Sequence, residues 1–260
     1  FMKNLYSYAE EIGYENTIGF LFPLVQELKC NTDINDSIYS SFFDGLDKLL
    51  DFLLNYDKEK KVLFSKIIPI IEIVLYNKKD IILLNKAIDK LKSIMLRITR
   101  EEFYQNILPM LIQLANNEKN EFGQETAIEI FNDTAHLLGN EIIEFCVLPH
   151  FQAFSLDDNE LIRRCCISNM IHICENINYS ALENKLIIIY SRFANDPSKM
   201  NRKICCDLIP SLCKIGKTDL IFDQLLKVYL KLMNDKESFV KIQCLSIFGE
   251  FISYLKIEKI

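Results

Sequence analysis

Tryptophan is absent from the 260 residues, and only 7 Gly, 6 Pro and 3 His occur. A strand-rich chain of this length needs frequent turn residues, so the scarcity of breakers favours an all-helical fold. No apolar run approaches the roughly 18 residues that a membrane-spanning helix requires. His136, His150 and His172 show neither an H-x-x-x-H spacing nor an accompanying carboxylate and Cys pattern, so no metal is expected. Phosphate-binding glycine motifs and the G-x-S-x-G elbow are missing as well, and no constellation of catalytic groups stands out. The expectation is a protein that is not an enzyme and holds no cofactor.

The charge balance is mildly acidic, -6 from 30 basic and 36 acidic side chains, and gives no overall pull toward nucleic acid. It is uneven. From Lys199 onward there are 11 Lys/Arg against 7 Asp/Glu, leaving 19 against 29, or -10, in residues 1–198. Arg163, Arg164, Arg202, Lys203 and Lys241 would form a basic stripe along one face. The asymmetry suits an acidic partner near the C-terminal end, or a merely solvated surface, and without interleaved exposed aromatics or a basic pI the stripe does not point to nucleic acid. Nine Cys sit on apolar helix faces with no C-x-x-C pair, including the vicinal pairs Cys165-Cys166 and Cys205-Cys206. They read as small, reduced core residues of a cytoplasmic protein, with the nucleus also open to it. Phe1 is not an initiator Met, and helical pattern continues to the end, so the chain reads as a piece of a longer protein.

What the sequence does contain is an internal repeat. Asp157, Asp196 and Asp235 stand 39 residues apart; Arg163, Arg202 and Lys241 keep that interval six positions later, and Cys166, Cys205 and Cys244 form a third column. A period near 40 with helical patterning indicates an α-solenoid of paired helices. Apolar stretches holding Pro23, Pro69, Pro109 and Pro149 follow one another at steps of 46, 40 and 40 and mark the first helices of four units. Ile188 and Lys227 take the Pro position in the last two units, so those helices should be straighter. First helices are expected near 18–29, 62–76, 102–115, 141–155, 180–194 and 218–233. Second helices fall near 36–54, 80–97, 121–138, 159–175, 199–214 and 237–255. Residues 2–12 form one more helix, closed by Gly13 in a left-handed conformation. Nothing marks a domain boundary, so residues 1–260 read as one array of about six repeats plus a partial N-terminal repeat, wound as a right-handed superhelix.

Each repeated Asp follows a first helix, where its carboxylate can accept hydrogen bonds from free N–H groups at the start of the second. The basic residue six positions on lies about 240° around the helix and cannot meet that Asp as an i, i+4 neighbour. Pairing between adjacent units is the better geometry. Asp157/Arg163, Asp196/Arg202 and Asp235/Lys241 are therefore expected to form an inter-repeat ladder that fixes register. In the third unit Glu118 and Gln124 stand near those places. The turns themselves should stack into a ridge, with Asp158, Asn159, Asn195, Pro197, Lys199, Met200, Lys236 and Phe239 as candidate partner-binding residues. Met200 and Phe239 are notable because turns are ordinarily polar.

Helix pairs of about 39 residues, Pro in the first helix, Asp at the turn and Arg/Lys six later resemble HEAT repeats over nearly the whole chain. More narrowly, the stretch from Thr126 to Phe151, the run from Asp157 to Cys174, and Ala194 to Arg202 resemble protein phosphatase 4 regulatory subunit 1 and the scaffold (A) subunit of protein phosphatase 2A. The chain departs from those families in its weak second unit and truncated ends. The resemblance implies a non-catalytic scaffold whose turns dock a Ser/Thr phosphatase catalytic subunit and whose concave face takes a target. An importin-β-type transport receptor, or another HEAT-repeat adaptor, is the alternative. The missing Trp argues against the Trp/Asn arrays of armadillo-type cargo adaptors.

Overall fold

The computed structural model describes residues 2–30, 35–77, 79–117, 119–216 and 219–254. Glu118, Lys217 and the side chain of Cys30 lie outside that description. Thirteen helical segments follow one another, and no strand occurs among the described residues. They are α1 (Leu5–Ile12), α2 (14–30), α3 (Asp36–Tyr56), α4 (61–77), α5 (Ile81–Met95), α6 (100–115) and α7 (121–138). Then come α8 (140–154), α9 (160–175), α10 (179–192), α11 (Lys199–Ile215), α12 (Asp219–Met233) and α13 (Ser238–Tyr254). This is an all-α solenoid: one leading helix, then six pairs at nearly the expected boundaries. Contacts gather it into two compact units, residues 1–111 and 112–260.

In the first unit α3 packs against α1 and α5, while α4 packs against α2 and α5. The buried stripe of α3 runs through Tyr39, Phe42, Phe43, Leu46, Leu49, Leu50 and Leu53, the spacing of one helix face. Gly45 sits where a short 3₁₀ turn, Met2–Asn4, crosses that helix. A Cβ there would stand 2.7 Å from the Lys3 carbonyl oxygen, so only glycine permits the approach. Gly13 does end α1, but at φ 80° and ψ 168°. It is therefore extended with positive φ, a region open essentially to glycine alone, and not the left-handed helical cap the sequence suggests. Gly139 ends α7 in the same way, at φ 76° and ψ 158°.

A polar seam joins α3 to α5. Asp44, Asp47 and Asp51 receive Lys86, Lys90 and Arg97, with Lys86 Nζ 2.5 Å from Asp44 Oδ1 and Arg97 Nε 3.1 Å from Asp51 Oδ1. The connection after α3 is likewise built: the buried Asp57 carboxylate accepts the Val62 N–H at 2.7 Å, and Lys60, at φ 54°, bonds Glu102 at 2.6 Å. In the second unit the two layers are plain. Second helices stack on second helices, as α7, α9, α11 and α13, and α10 packs on α12.

The prolines act through a widened turn. Thr17–Leu21, Leu63–Ile67 and Ile143–Val147 are π-helical, and the next N–H, of Phe22, Ile68 or Leu148, reaches back five residues instead of four. Pro then follows at 23, 69 and 149, where the wider turn gives its ring room. Around Pro109 the break instead falls at Ile107, with φ −105°. The fifth unit departs from expectation: α10 contains the same π turn, Leu182–Leu186, although Ile188 stands where Pro would be. Only α12 is uninterrupted, as its lack of Pro suggested.

The cause is the spacing of the buried side chains. Thr17, Leu21, Phe22 and Val25 are buried at i, i+4, i+5 and i+8. Leu63, Ile143 and Leu182 each begin the same pattern in later repeats with a π turn; Phe103 begins it too, where the break at Ile107 takes the place of the π turn. In a regular α-helix i+5 would stand roughly 140° from i, and one extra residue in the turn swings it back onto the stripe. In α12 Leu226, at the place of Ile187, is only half-buried, so no i+5 side chain has to be swung onto the stripe, and Leu225, Val228, Tyr229 and Leu232 follow ordinary i, i+3, i+4, i+7 spacing. Ile188→Pro should accordingly lower stability by under about 1 kcal/mol, whereas Lys227→Pro, equally exposed but inside a regular helix, should cost about 3 kcal/mol or more. Thermal or urea unfolding of the two variants tests this, and equal losses would mean that the π turn does not accommodate Pro.

Candidate interaction ridge

Each turn of the second unit is organised by its Asp. Asp157 Oδ1 accepts the Asn159 N–H at 2.7 Å, Asp196 Oδ1 that of Ser198 at 2.8 Å, and Asp235 Oδ1 that of Glu237 at 2.9 Å. The carboxylate thus closes the turn two residues on; at α11 the residue that follows, Ser198, makes no side-chain cap bond, whereas α9 is capped by a following residue. At Asn159 that cap is visible, its Oδ1 accepting the Leu161 N–H at 2.9 Å.

The basic column completes the turns. Arg163 forks onto the Asp of the next unit, Nε to Asp196 Oδ2 at 2.8 Å and Nη2 to Oδ1 at 3.1 Å. Arg202 does the same to Asp235, at 2.6 and 3.0 Å. Their remaining nitrogens turn back to their own turns. Arg163 Nη1 donates to the carbonyls of Asp157 and Asp158 at 2.7 and 3.0 Å, and Arg202 Nη1 to those of Asp196 and Pro197 at 2.8 and 3.1 Å. One guanidinium therefore ties two successive turns together, which Lys could not do with the same fixed geometry. That backbone clamp is invisible to reasoning about side-chain pairs alone.

The ladder has two full rungs. Below it, Gln124 holds the basic position but bonds the Ala115 carbonyl at 3.4 Å, so Asp157 is met by no guanidinium among the described residues. Above it, Lys241 is exposed and pairs with no carboxylate among the described residues. Side chains of the rungs are nearly closed to solvent, 11% and 3% exposed for Arg163 and Asp196 and 7% each for Arg202 and Asp235. Burial pushes the Asp196 carboxyl up, but the hydrogen bonds from Arg163 and the Ser198 N–H outweigh it and hold the pKa below the usual carboxylate range. Asp235 is lowered chiefly by its hydrogen bonds from Arg202, against its own desolvation.

Of the eight candidate ridge residues, Asp158, Asn195, Pro197, Lys199, Met200 and Lys236 are exposed, while Asn159 and Phe239 are half-buried. A cleft of 540 Å³ opens between the fifth and sixth turns, lined by Asn195, Pro197, Lys231, Asn234 and Lys236 over the Arg202–Asp235 rung. A second, of 490 Å³, lies below the fourth turn and includes His150, Leu156 and Asp158. His150 stacks between Phe131 and Phe154, and burial lowers its pKa, so it is neutral at pH 7. Of the basic stripe, Arg163 and Arg202 are spent on the ladder, Arg164 bonds Glu160, and Lys203 bonds Asp207.

Cys166, Cys174, Cys205, Cys206, Cys213 and Cys244 are buried free thiols. Burial pushes Cys205 up to about 12, far from thiolate chemistry at neutral pH. Cys206 and Cys244 share a hydrogen bond, Sγ to Sγ 3.0 Å, between α11 and α13. Among the described residues no group of three His, Cys, Asp or Glu side chains could hold a metal ion, and no helix is long and apolar enough to cross a membrane.

The helical stack closely matches solved structures. The crystal structure of Cex1p superimposes with a TM-score of 0.64 at 15% identity, covering 99% of this chain and 49% of that one. This is an armadillo/HEAT-like helical-repeat fold. A designed armadillo repeat protein in complex with the peptide (KR)4 gives a TM-score of 0.50 at 15% identity, over 87% of this chain and 99% of that one. The present chain spans about half the length of Cex1p. No family model and no curated protein matches the sequence.

Removing one partner of a rung leaves a buried charge unpaired. Arg163→Ala or Asp196→Ala should cost about 3–5 kcal/mol, while the double replacement Arg163→Met/Asp196→Leu should cost much less. Denaturant titration separates the two outcomes, and a single variant within about 0.5 kcal/mol of wild type would show the rung to be ornamental. The rungs also set an acid limit. A carboxyl whose folded pKa lies below its unfolded value of about 3.9 adds stability at neutral pH that disappears as pH falls through the folded value. Stability should therefore drop below about pH 4, and less so in Asp196→Asn/Asp235→Asn, which starts lower and loses this part of the slope.

Proposed function

We infer that the chain is a non-catalytic scaffold that holds protein partners along the ridge of turns in its second unit. The observation that carries this reading is the row of three short exposed turns at repeat spacing, each fixed by an Asp and all cross-tied by two buried Arg forks. Its helical-repeat fold supports an adaptor role, and a designed armadillo repeat protein of related fold holds a peptide, (KR)4. Among scaffolds, the resemblance of residues 126–151, 157–174 and 194–202 to phosphatase subunits favours a regulatory subunit of a Ser/Thr phosphatase of the protein phosphatase 4 or 2A type. Such a subunit would act in the cytoplasm or nucleus.

Met200, 42% exposed, is the apolar anchor, and Lys231 and Lys236 lining the 540 Å³ cleft, with exposed Lys199 beside Met200, favour an acidic surface on the partner. Phe239 is half-buried, so its replacement would disturb packing as well as binding. Met200→Asp with Lys236→Glu should weaken binding to a purified phosphatase catalytic subunit by about 2 kcal/mol, roughly thirtyfold, with melting unchanged. Tight binding by the folded double variant would move the interface off this ridge. Failure of wild type to bind the catalytic subunit, with Ran and nucleoporins copurifying from cells instead, would favour a transport receptor.

A further inference from the structure

Three columns of apolar residues carry each second helix of the second unit onto the next. The first reads Ile128, Ile167, Cys206 and Leu245, the second Phe131, Met170, Ile209 and Phe248, and the third Ala135, Cys174, Cys213 and Ile252, all at steps of 39. In α7, α9 and α11 every member of these columns is buried, at 0–2% exposure. The contact direction is explicit at Cys206, whose sulfur faces Val240 and Cys244 of α13. In α13 the same columns are open: Leu245 is 59% exposed, Phe248 is 47% exposed, and Ile252 is half-buried. Ile242 beside them is 64% exposed, and a Cβ at Gly249 would meet nothing within 4 Å.

A second, polar observation coincides with the first. Lys241 occupies the column of Arg163 and Arg202, each of which is satisfied by the Asp of the following unit. Its own counterpart carboxylate would lie one period beyond Asp235. Apolar columns and ladder cation are thus both arranged as in the repeat interfaces before them, and among the described residues neither is covered by a neighbouring helix or paired with a carboxylate.

We propose that this face of α13 is a docking surface for one more helical pair in the same 39-residue register, which sets apolar side chains against Leu245, Phe248 and Ile252 and a turn carboxylate against Lys241. Continuity with the α9–α11 and α11–α13 interfaces and charge complementarity at Lys241 decide the chemistry of the occupant. An isolated apolar peptide would leave the Lys241 rung unmade, and a basic one would oppose it. Because Lys donates to a carboxylate as a point charge and not as a fork, this rung is looser than the two before it.

The test adds the occupant to the full chain. A second copy of residues 216–254, inserted directly after Tyr254, adds one 39-residue period and places its Asp235 equivalent opposite Lys241. A copy of residues 177–215 at the same point does so with its Asp196 equivalent and serves as a second, independent occupant. The expected result is a higher melting temperature and amide exchange in α13 slowed by roughly tenfold or more. The gain should shrink when the inserted Asp is replaced by Ala, and vanish with Leu245→Asp, which leaves melting of the unextended chain unchanged; Phe248 is kept in that variant because its ring stacks on Tyr229. Unaltered exchange in α13 with both inserts would overturn the proposal. So would a dimer of the unextended chain in sedimentation that Leu245→Asp abolishes, since the occupant would then be a second copy.

Discussion

The guanidinium of Arg163, and its repeat at Arg202, is the constraint on which the second unit's geometry depends. Each is bound at once to two carbonyls of its own turn and to both oxygens of the next turn's Asp. Apolar packing between α9 and α11 could tolerate sliding by a fraction of a turn, because Leu, Ile and Cys surfaces are non-directional. A bidentate fork cannot. It fixes one rotation and one rise between repeats, and it does so at a place where desolvation makes a misplaced charge costly. The ladder therefore specifies geometry more than it adds net stability.

The first helices show a different kind of constraint, in which backbone form follows from the side chains that must be buried. Leu182, Leu186, Ile187 and Tyr190 repeat the spacing of Ile143, Val147, Leu148 and Phe151, and both segments adopt the π turn, although only one is followed by Pro. Proline is thus compatible with the widened turn but does not create it. Where the stripe returns to ordinary helical spacing in α12, the backbone becomes a regular helix.

Much of this was legible because a repeat presents the same physical problem several times. Three Asp, three basic residues and three Cys at one interval mark the turns and second helices of the last three units and point to pairing between adjacent units, though not to which neighbour; Arg163 and Arg202 make such rungs and Lys241 does not. What escaped was whatever broke that interval or used the backbone. The α3–α5 seam pairs residues 42, 43 and 46 apart, so it makes no column at 39. The Arg clamp on turn carbonyls involves atoms that every residue possesses and leaves no trace in composition. The π turn of α10 was hidden by attending to Pro rather than to buried spacing. Phe239 looked like a free turn residue because a helix start is ordinarily open, yet it lies half-buried.

The same forks bear on what the ridge can do. A loop that must be ordered on binding loses conformational entropy at that moment, and only the surplus of contact energy over that loss appears as affinity. Here the ordering occurs on folding: turn carbonyls, Asp carboxylates and Arg forks hold Pro197 and its neighbours before any partner arrives. The exposed side chains then divide by role. On the proposed scaffold reading, Met200 would offer apolar area with a flexible fit, whereas Lys199, Lys231 and Lys236 stand in solvent, where charge would steer encounter and select partner sign more than add to affinity. Because Arg163 and Arg202 are consumed internally, the basic excess of the C-terminal part reaches a partner through lysines alone. That arrangement suits a broad acidic surface better than a single phosphate or carboxylate, which would call for a fork still free to bind it.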